Sequence, residues 1–179
     1  MNNQYRFNET IEDALWQFVQ NTSGITTIWD KQDVYGVNKA KRPVPPFVTL
    51  NIISGPIPIG YADFIYKSGD KYTMRIRKKF TLSVNVYTLN NHMGISTSIW
   101  TALQDENVLI GLRTHGLSYL PTKEGVRDIS QLLETGHELR ANIDLVFSYC
   151  EVTEVEPGYV KKITIEKTND PKFKQDIIP

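Results

Sequence analysis

Residues 138–149 alternate almost strictly between polar and apolar side chains, and no other stretch limits the fold so tightly. The even positions Glu138, Arg140, Asn142, Asp144 and Ser148 are polar, while the odd positions Leu139, Ala141, Ile143, Leu145, Phe147 and Tyr149 are mostly apolar. Side chains of a strand point alternately to its two faces, so this period of two predicts a strand with one face in a core. The other face is left for water or another subunit. Lys71 to Thr88 repeats the pattern, with Met74, Ile76, Phe80, Leu82, Val84 and Val86 on one parity and Arg75, Arg77, Lys79, Thr81, Ser83 and Asn85 on the other. Lys78 alone interrupts the apolar parity.

Around these two strands the chain supplies helices and shorter strands. Asn8 or Thr10 can cap a helix in which Ile11, Ala14, Leu15, Phe18 and Val19 recur at helical spacing, ending near Gly24. Ile25 to Trp29 is a short strand candidate. A polar segment from Asp30 to Arg42 then leads into Pro43, Pro45 and Pro46, whose missing N–H groups exclude an interior strand, so a long Pro-rich loop is expected at about 30–46. Phe47 to Ile53 returns to strand, with Gly55, Pro56, Pro58 and Gly60 expected to break it, and Tyr61 to Tyr66 is a further strand candidate. A second helix is predicted from about Ile95 to Asp105, with Asn90 or Asn91 near its start, and Leu109 to Leu120 reads as one or two short strands interrupted by Gly111 and Gly116. Tyr159 to Glu166 is another strand after the turn Glu156, Pro157, Gly158.

Runs of strands with one early and one central helix give the expected fold class: α+β, a mainly antiparallel (mixed) sheet with two helices packed on one face. A chain of 179 residues is read as a single domain over residues 1–166, followed by a polar C-terminal arm, residues 167–179, weakly tied to the core.

Composition narrows the function classes. Lys+Arg and Asp+Glu both total 20, so no net field draws the chain toward nucleic acid or an anionic membrane. No apolar run reaches the length that spans a bilayer, and the polar start lacks the regions of a secretory signal, which leads to an expectation of a cytoplasmic, non-membrane protein. The single Cys150 cannot form an internal disulfide and is read as a small packing residue on a strand.

Recognisable catalytic chemistry is missing. His92, His115 and His137 are far apart and none has a metal-ligand spacing, and there is no GxSxG elbow, GxxxxGK[ST] loop or GxGxxG turn. The three histidines read as loop or surface residues. Glu154 and Glu156 share a parity but adjoin Pro157 and Gly158, where they more simply keep a turn solvated. No enzyme activity, catalytic residue, metal or cofactor is therefore expected. Arg75, Arg77, Lys78 and Lys79 could contact phosphate, yet three of the four fall on the solvent parity of one strand, which favours a solvated or subunit-facing surface.

Three segments, taken in order, carry a resemblance: IWDKQ followed by KRPVPPFVTLNI (Ile28 to Ile52), KKFTLSVNVYT (Lys78 to Thr88) and GVRDISQLLETGHELRANIDLVFSYC (Gly125 to Cys150). Together they resemble the neck or tail terminator proteins of contractile-tailed phages. Val126, Arg127 and Asp128 followed by Glu138, Arg140, Ala141, Asp144 and Phe147 look like that family's C-terminal pattern, with His137 standing where an aromatic residue is expected.

The resemblance implies a structural virion protein of the tail and neck, assembled in the host cytoplasm. It implies a hexameric ring seated on the last ring of the tail tube, with the tube protein, the sheath and neck or connector proteins as neighbours and genome DNA passing through without specific binding. Arg127, Asp128, Glu138 and Arg140 are then the leading interface candidates, set against the plainer reading of an exposed ion-pair set. Trp29, Pro43, Pro45 and Pro46, and the polar-parity Arg75, Arg77 and Lys79, are further candidates for subunit or partner contact. For Phe47, core packing is the stronger reading. A neighbouring head-completion adaptor is the alternative among assembly proteins, and a small cytoplasmic enzyme or nucleic-acid-binding module is the alternative from another class.

Overall fold

The computed structural model describes residues 9–30, 43–67, 71–133, 136–155, 163–166 and 174–177. Asn8 as a cap, the polar segment 31–42, the turn at 156–158 and the arm residues 167–173 lie outside them. The chain divides into two compact units, Met1–Tyr61 with Ile76–Glu151 and Ala62–Arg75 with Val152–Pro179.

In chain order the elements are α1 (Glu9–Ser23), β1 (Thr26–Trp29), β2 (Phe47–Pro58), β3 (Asp63–Lys67), β4 (Lys71–Thr88), α2 (His92–Ala102) and α3 (Glu106–Thr114). There follow β5 (Leu117–Leu120), β6 (Arg127–Asp128), β7 (Gln131–Leu133), β8 (Gly136–Val155), β9 (Ile163–Glu166) and β10 (Lys174–Ile177). The class is α+β: the described residues form a mixed, mostly antiparallel eight-strand sheet, a separate β9–β10 pair and three helices.

The first unit's sheet has the order β1-β2-β4-β8-β5, with β6 and β7 also paired to β8. β1 runs parallel to β2 in the register Thr26↔Phe47 to Trp29↔Leu50. A parallel pair needs a connection of a dozen or more residues, which the chain between Trp29 and Phe47 provides.

One face of this sheet is apolar and carries all three helices. Val48, Leu50, Phe80, Leu82, Val84, Val86, Ile143, Leu145 and Phe147 form one buried cluster with Leu15 and Val19 of α1, Ile99 of α2 and Leu112 of α3. Each fully buried side chain of this size stabilises by about 1.5–3 kcal/mol relative to its exposed state. Trp16 Nε1 donates to the Thr27 carbonyl at 2.7 Å and the Thr27 N–H donates to Gln20 Oε1 at 2.9 Å, tying α1 to β1. Gly24, at φ 68, ends α1 by donating its N–H to the Gln20 carbonyl at 3.1 Å.

Three sequence expectations are corrected. Residues Leu109–Thr114 belong to helix α3, and only Leu117–Leu120 forms a strand. The helix is fixed at its ends: Asp105 accepts from the Asn107 N–H at 2.8 Å, Glu106 and Arg113 complement the dipole, and Gly116, at φ 76, follows the last turn. β2 is not broken at Gly55 and Pro56 but continues to Pro58, because register shifts at Ile52/Ser54 and Ser54/Ile57 absorb those residues as bulges. Cys150 lies on β8 as expected but is exposed, not packed.

In the second unit β3 pairs antiparallel with the start of β4, from Asp63↔Arg75 to Lys67↔Lys71. β9 and β10 pair antiparallel from Ile163↔Ile177 to Glu166↔Lys174, so part of the predicted arm is a strand.

Candidate functional site

The alternation that turns Ile143 and Leu145 toward the helices turns Arg140, Asn142 and Asp144 to the sheet's other face, where the polar parity of β4 brings Ser83 and Asn85 to meet them. Ser83, Asn85 and Asn142 are each only 6% exposed. A buried polar group left unpaired costs about 1–3 kcal/mol, so such a face is tolerated only if its groups satisfy one another. Ser83, Asn85 and Asn142 do so, with Arg127, across three strands. Asn142 Nδ2 donates to Ser83 Oγ at 2.8 Å and to Asn85 Oδ1 at 3.2 Å, while its Oδ1 accepts from Arg127 at 2.7 Å. Asn85 Oδ1 also accepts from Arg140 at 2.9 Å.

β6 delivers Arg127 because it pairs with β8 in the register Arg127↔Asn142 and Asp128↔Ala141. The Arg127 guanidinium forms an ion pair with Asp144, and Glu124 lies 3.8 Å from its other nitrogen. Arg140 lies with its guanidinium carbon 4.9 Å from the centre of the Tyr87 ring, which in turn stacks on Phe47 at 4.6 Å. Phe47 is buried, as expected of a packing residue, but on the helix-free side opposite Tyr87. Arg140 Nε and Asn51 Oδ1 are shut off from water with no hydrogen-bond partner among the described residues.

Asp128 organises the turn beyond β6. Its Oδ1 accepts from the Ser130 N–H at 2.9 Å and from the Ser130 hydroxyl at 2.6 Å, and His92 Nε2 lies 3.3 Å from its Oδ2. Donation from the Ser130 hydroxyl, then the Ser130 amide and then His92 holds the Asp128 carboxyl down at about 2. Ser130 Oγ also accepts from the Arg140 N–H at 3.1 Å, joining the turn to β8. This group of Ser, His and Asp is not a hydrolytic triad. The same Nε2 faces both Ser130 Oγ, at 3.4 Å, and Asp128, whereas a triad uses opposite nitrogens of the imidazole. His92 Nδ1 is buried and has no hydrogen-bond partner among the described residues.

Of the sequence-derived candidates, the structure therefore brings together Arg127, Asp128 and Arg140. Glu138 is half-buried farther along β8, opposite Gln131. Trp29 packs at the margin of the helical core, Pro43 and Pro45 are half-buried and Pro46 is exposed. Arg77 and Lys79 are exposed on β4 of the first unit, and Arg75 is exposed in the second. Lys78, the one interruption of the apolar parity, is accounted for by its ion pair with Glu151, which raises its pKa.

Residue-by-residue reading missed Asn85, Asn142 and Ser83 as a unit, because a polar parity looks the same whether it faces water or itself. It also read His92 as a loop or surface residue, whereas His92 opens α2 and its side chain is only 13% exposed.

A model of the phage neck terminator protein family matches residues 9–173. The chain belongs to the phage neck terminator family. No match was found among curated proteins. Terminator family membership makes the chain a structural component of the virion's neck and tail and not an enzyme. It also implies interactions with the tail tube and the neck. Among the described residues no group of three or more His, Cys, Asp or Glu could hold a metal ion. No helix among them is long and apolar enough to cross a membrane.

Proposed function

We propose that the chain closes into a homo-oligomeric ring, a hexamer, that caps the tail tube and joins the tail to the neck. The observation that carries this reading is the terminator family match over residues 9–173. The sheet supports it, since β1 pairs with β2 only over Phe47–Leu50 and leaves the outer edge of β2 beyond Leu50 without a strand neighbour among the described residues. Edges of this kind are either protected or used for association.

Arg127, Asp128, Glu138 and Arg140 shape the face offered to a neighbouring subunit, with the Arg127 and Asp128 side chains half-exposed beside the closed network. Trp29, Pro43, Pro45 and Pro46 contribute apolar contact to tube or sheath. Balanced charge, with Lys+Arg and Asp+Glu both 20, suits a ring through which DNA must pass without being gripped.

Native mass spectrometry and particle imaging of the purified protein, alone and with its tail tube protein, test the proposal. Closed rings that sit on tube ends and stop further tube growth are expected. Binding to a portal-side component with no affinity for tubes would replace this reading with that of a head-completion adaptor.

A further inference from the structure

The first unit carries an exposed carboxylate on α1 and a pair of exposed cations on β4, each beside exposed apolar surface, on opposite sides of its sheet. On α1, Asp13, Trp16 and Gln17 share the outer face by their i, i+3, i+4 spacing, and Trp16 is 37% exposed although its ring nitrogen is pinned to the Thr27 carbonyl. On β4, Arg77 and Lys79 are exposed on the helix-free parity, and Lys79 stands directly across from Ile57 of β2, which is 49% exposed. Asp13, Arg77 and Lys79 have no ion-pair partner among the described residues.

We propose that the outer face of α1, carrying Asp13 and Trp16, docks on the Arg77, Lys79 and Ile57 surface of a second copy of this chain. The proposal rests on the ring reading above and names the surfaces that would build the ring. Charge complementarity selects the occupant: the basic patch lies beside an apolar side chain and so does the acidic one, so both terms are met by one contact between copies. A fixed aromatic ring beside a carboxylate also suits a surface of two cations and an aliphatic side chain, through cation–π contact and apolar burial.

Geometry then fixes the kind of assembly. α1 packs on the face of the sheet that carries Phe80 and Leu82, whereas Arg77 and Lys79 have the opposite parity on β4. Each copy therefore uses two different surfaces, and the contact is head-to-tail. Such a contact repeats until rotation closes it into a ring.

The test uses the full chain and follows assembly against protein concentration by mass photometry, at low and high salt, with far-UV circular dichroism to verify the fold. Asp13→Lys, and Arg77→Glu combined with Lys79→Glu, are each expected to raise the concentration for half-assembly about tenfold or more at low salt, because like charges then face each other. Joining all three substitutions in one chain should restore most of the assembly, since the pair is then reversed and not broken. Asp13→Asn and Lys79→Gln, which cannot disturb folding by repulsion, should weaken assembly in the same direction by a smaller factor.

Rings that form as in the wild type with either charge reversal, or a triple variant that fails to recover, would overturn this pairing while leaving the ring reading intact. Wild-type protein that stays monomeric at every concentration, with and without tube protein, would remove both. Basic-patch variants that assemble normally but lose salt-dependent binding to duplex DNA would make Arg77 and Lys79 a phosphate-contacting site and overturn the proposal.

Discussion

Removing the Asn142 amide tests whether the polar sheet face is a closed internal network or a solvated surface. Asn142→Ala deletes two buried cross-strand hydrogen bonds, to Ser83 at 2.8 Å and to Asn85 at 3.2 Å. The bond from Arg127 matters less, because that side chain is 50% exposed and keeps Asp144. Taking about 1 kcal/mol for each buried bond, and allowing for a Ser83 hydroxyl left short of a partner, the loss should be about 2–3 kcal/mol. For a chain of this size that corresponds to roughly 4–12 °C in Tm. Urea unfolding followed by circular dichroism should show a lower midpoint at an unchanged slope. A double-mutant cycle with Asn85→Ala should give a coupling of about 0.5–1.5 kcal/mol, above the ~0.3–0.5 kcal/mol scatter expected of independent sites. Lys123→Ala, at an exposed position outside the network, serves as the control and should stay within about 0.5 kcal/mol of the wild type. If Asn142→Ala behaves like that control and the cycle shows no coupling, the network contributes nothing and the face is merely solvated.

The opposite side of the same strand responds through packing: Leu145→Ala, at a fully buried position, should cost about 2–5 kcal/mol, measured by the same unfolding curves. Arg140→Glu should lower monomer stability itself by about 1–3 kcal/mol, since it forfeits the bond to Asn85 and the contact with Tyr87, and a melting temperature unchanged from wild type would count against those contacts. The Asp128 carboxyl is held below its ordinary value of 3.8, at about 2, so its stabilisation is complete above 3.8 and disappears as the pH falls toward 2. The stability gap between wild type and Asp128→Asn should therefore close over that interval in acid titration, and a gap that persists below it would show that the carboxylate charge is not what stabilises the turn.

Much of this fold was legible because periodicity reports directly on which residues share a face. The apolar parities of residues 80–86 and 143–147 both enter the core, and Ile11, Leu15 and Val19 of α1 meet them there. Capping competes with periodicity where the run is short. The segment Val108 to Leu112 has no clean alternation, and Asp105 with Glu106 decides it as a helix. The bulges in β2 were illegible for a related reason: Gly55 and Pro56 are locally strand-breaking, and only pairing with β4 shows that two register shifts accommodate them.

The candidate site was half legible, and the reason lies in what a polar parity cannot say about its surroundings. Arg127, Asp128 and Arg140 were singled out through the family resemblance, but their partners Asn85, Asn142 and Ser130 come from strands and turns that meet only after folding. Once those partners are known, the charges of the two long strands fall into different classes. Arg127 is charge-paired inside the chain by Asp144, while Arg140 is held by hydrogen bonding to the neutral Asn85 and by the Tyr87 ring, so both are fixed in place and shape the surface around them. Farther along, the same parity of β8 continues with Val146 and Ser148, neither of which carries charge, and Arg77 and Lys79 of β4 are exposed with no ion-pair partner among the described residues. A charge left over after folding is the one that association can still stabilise, because its attraction has not been spent within the monomer. By that reasoning the strand residues that best match a terminator's need for a neighbour are the leftover cations of β4, and the family-pattern residues of β6 and β8 act first in building the sheet that presents them.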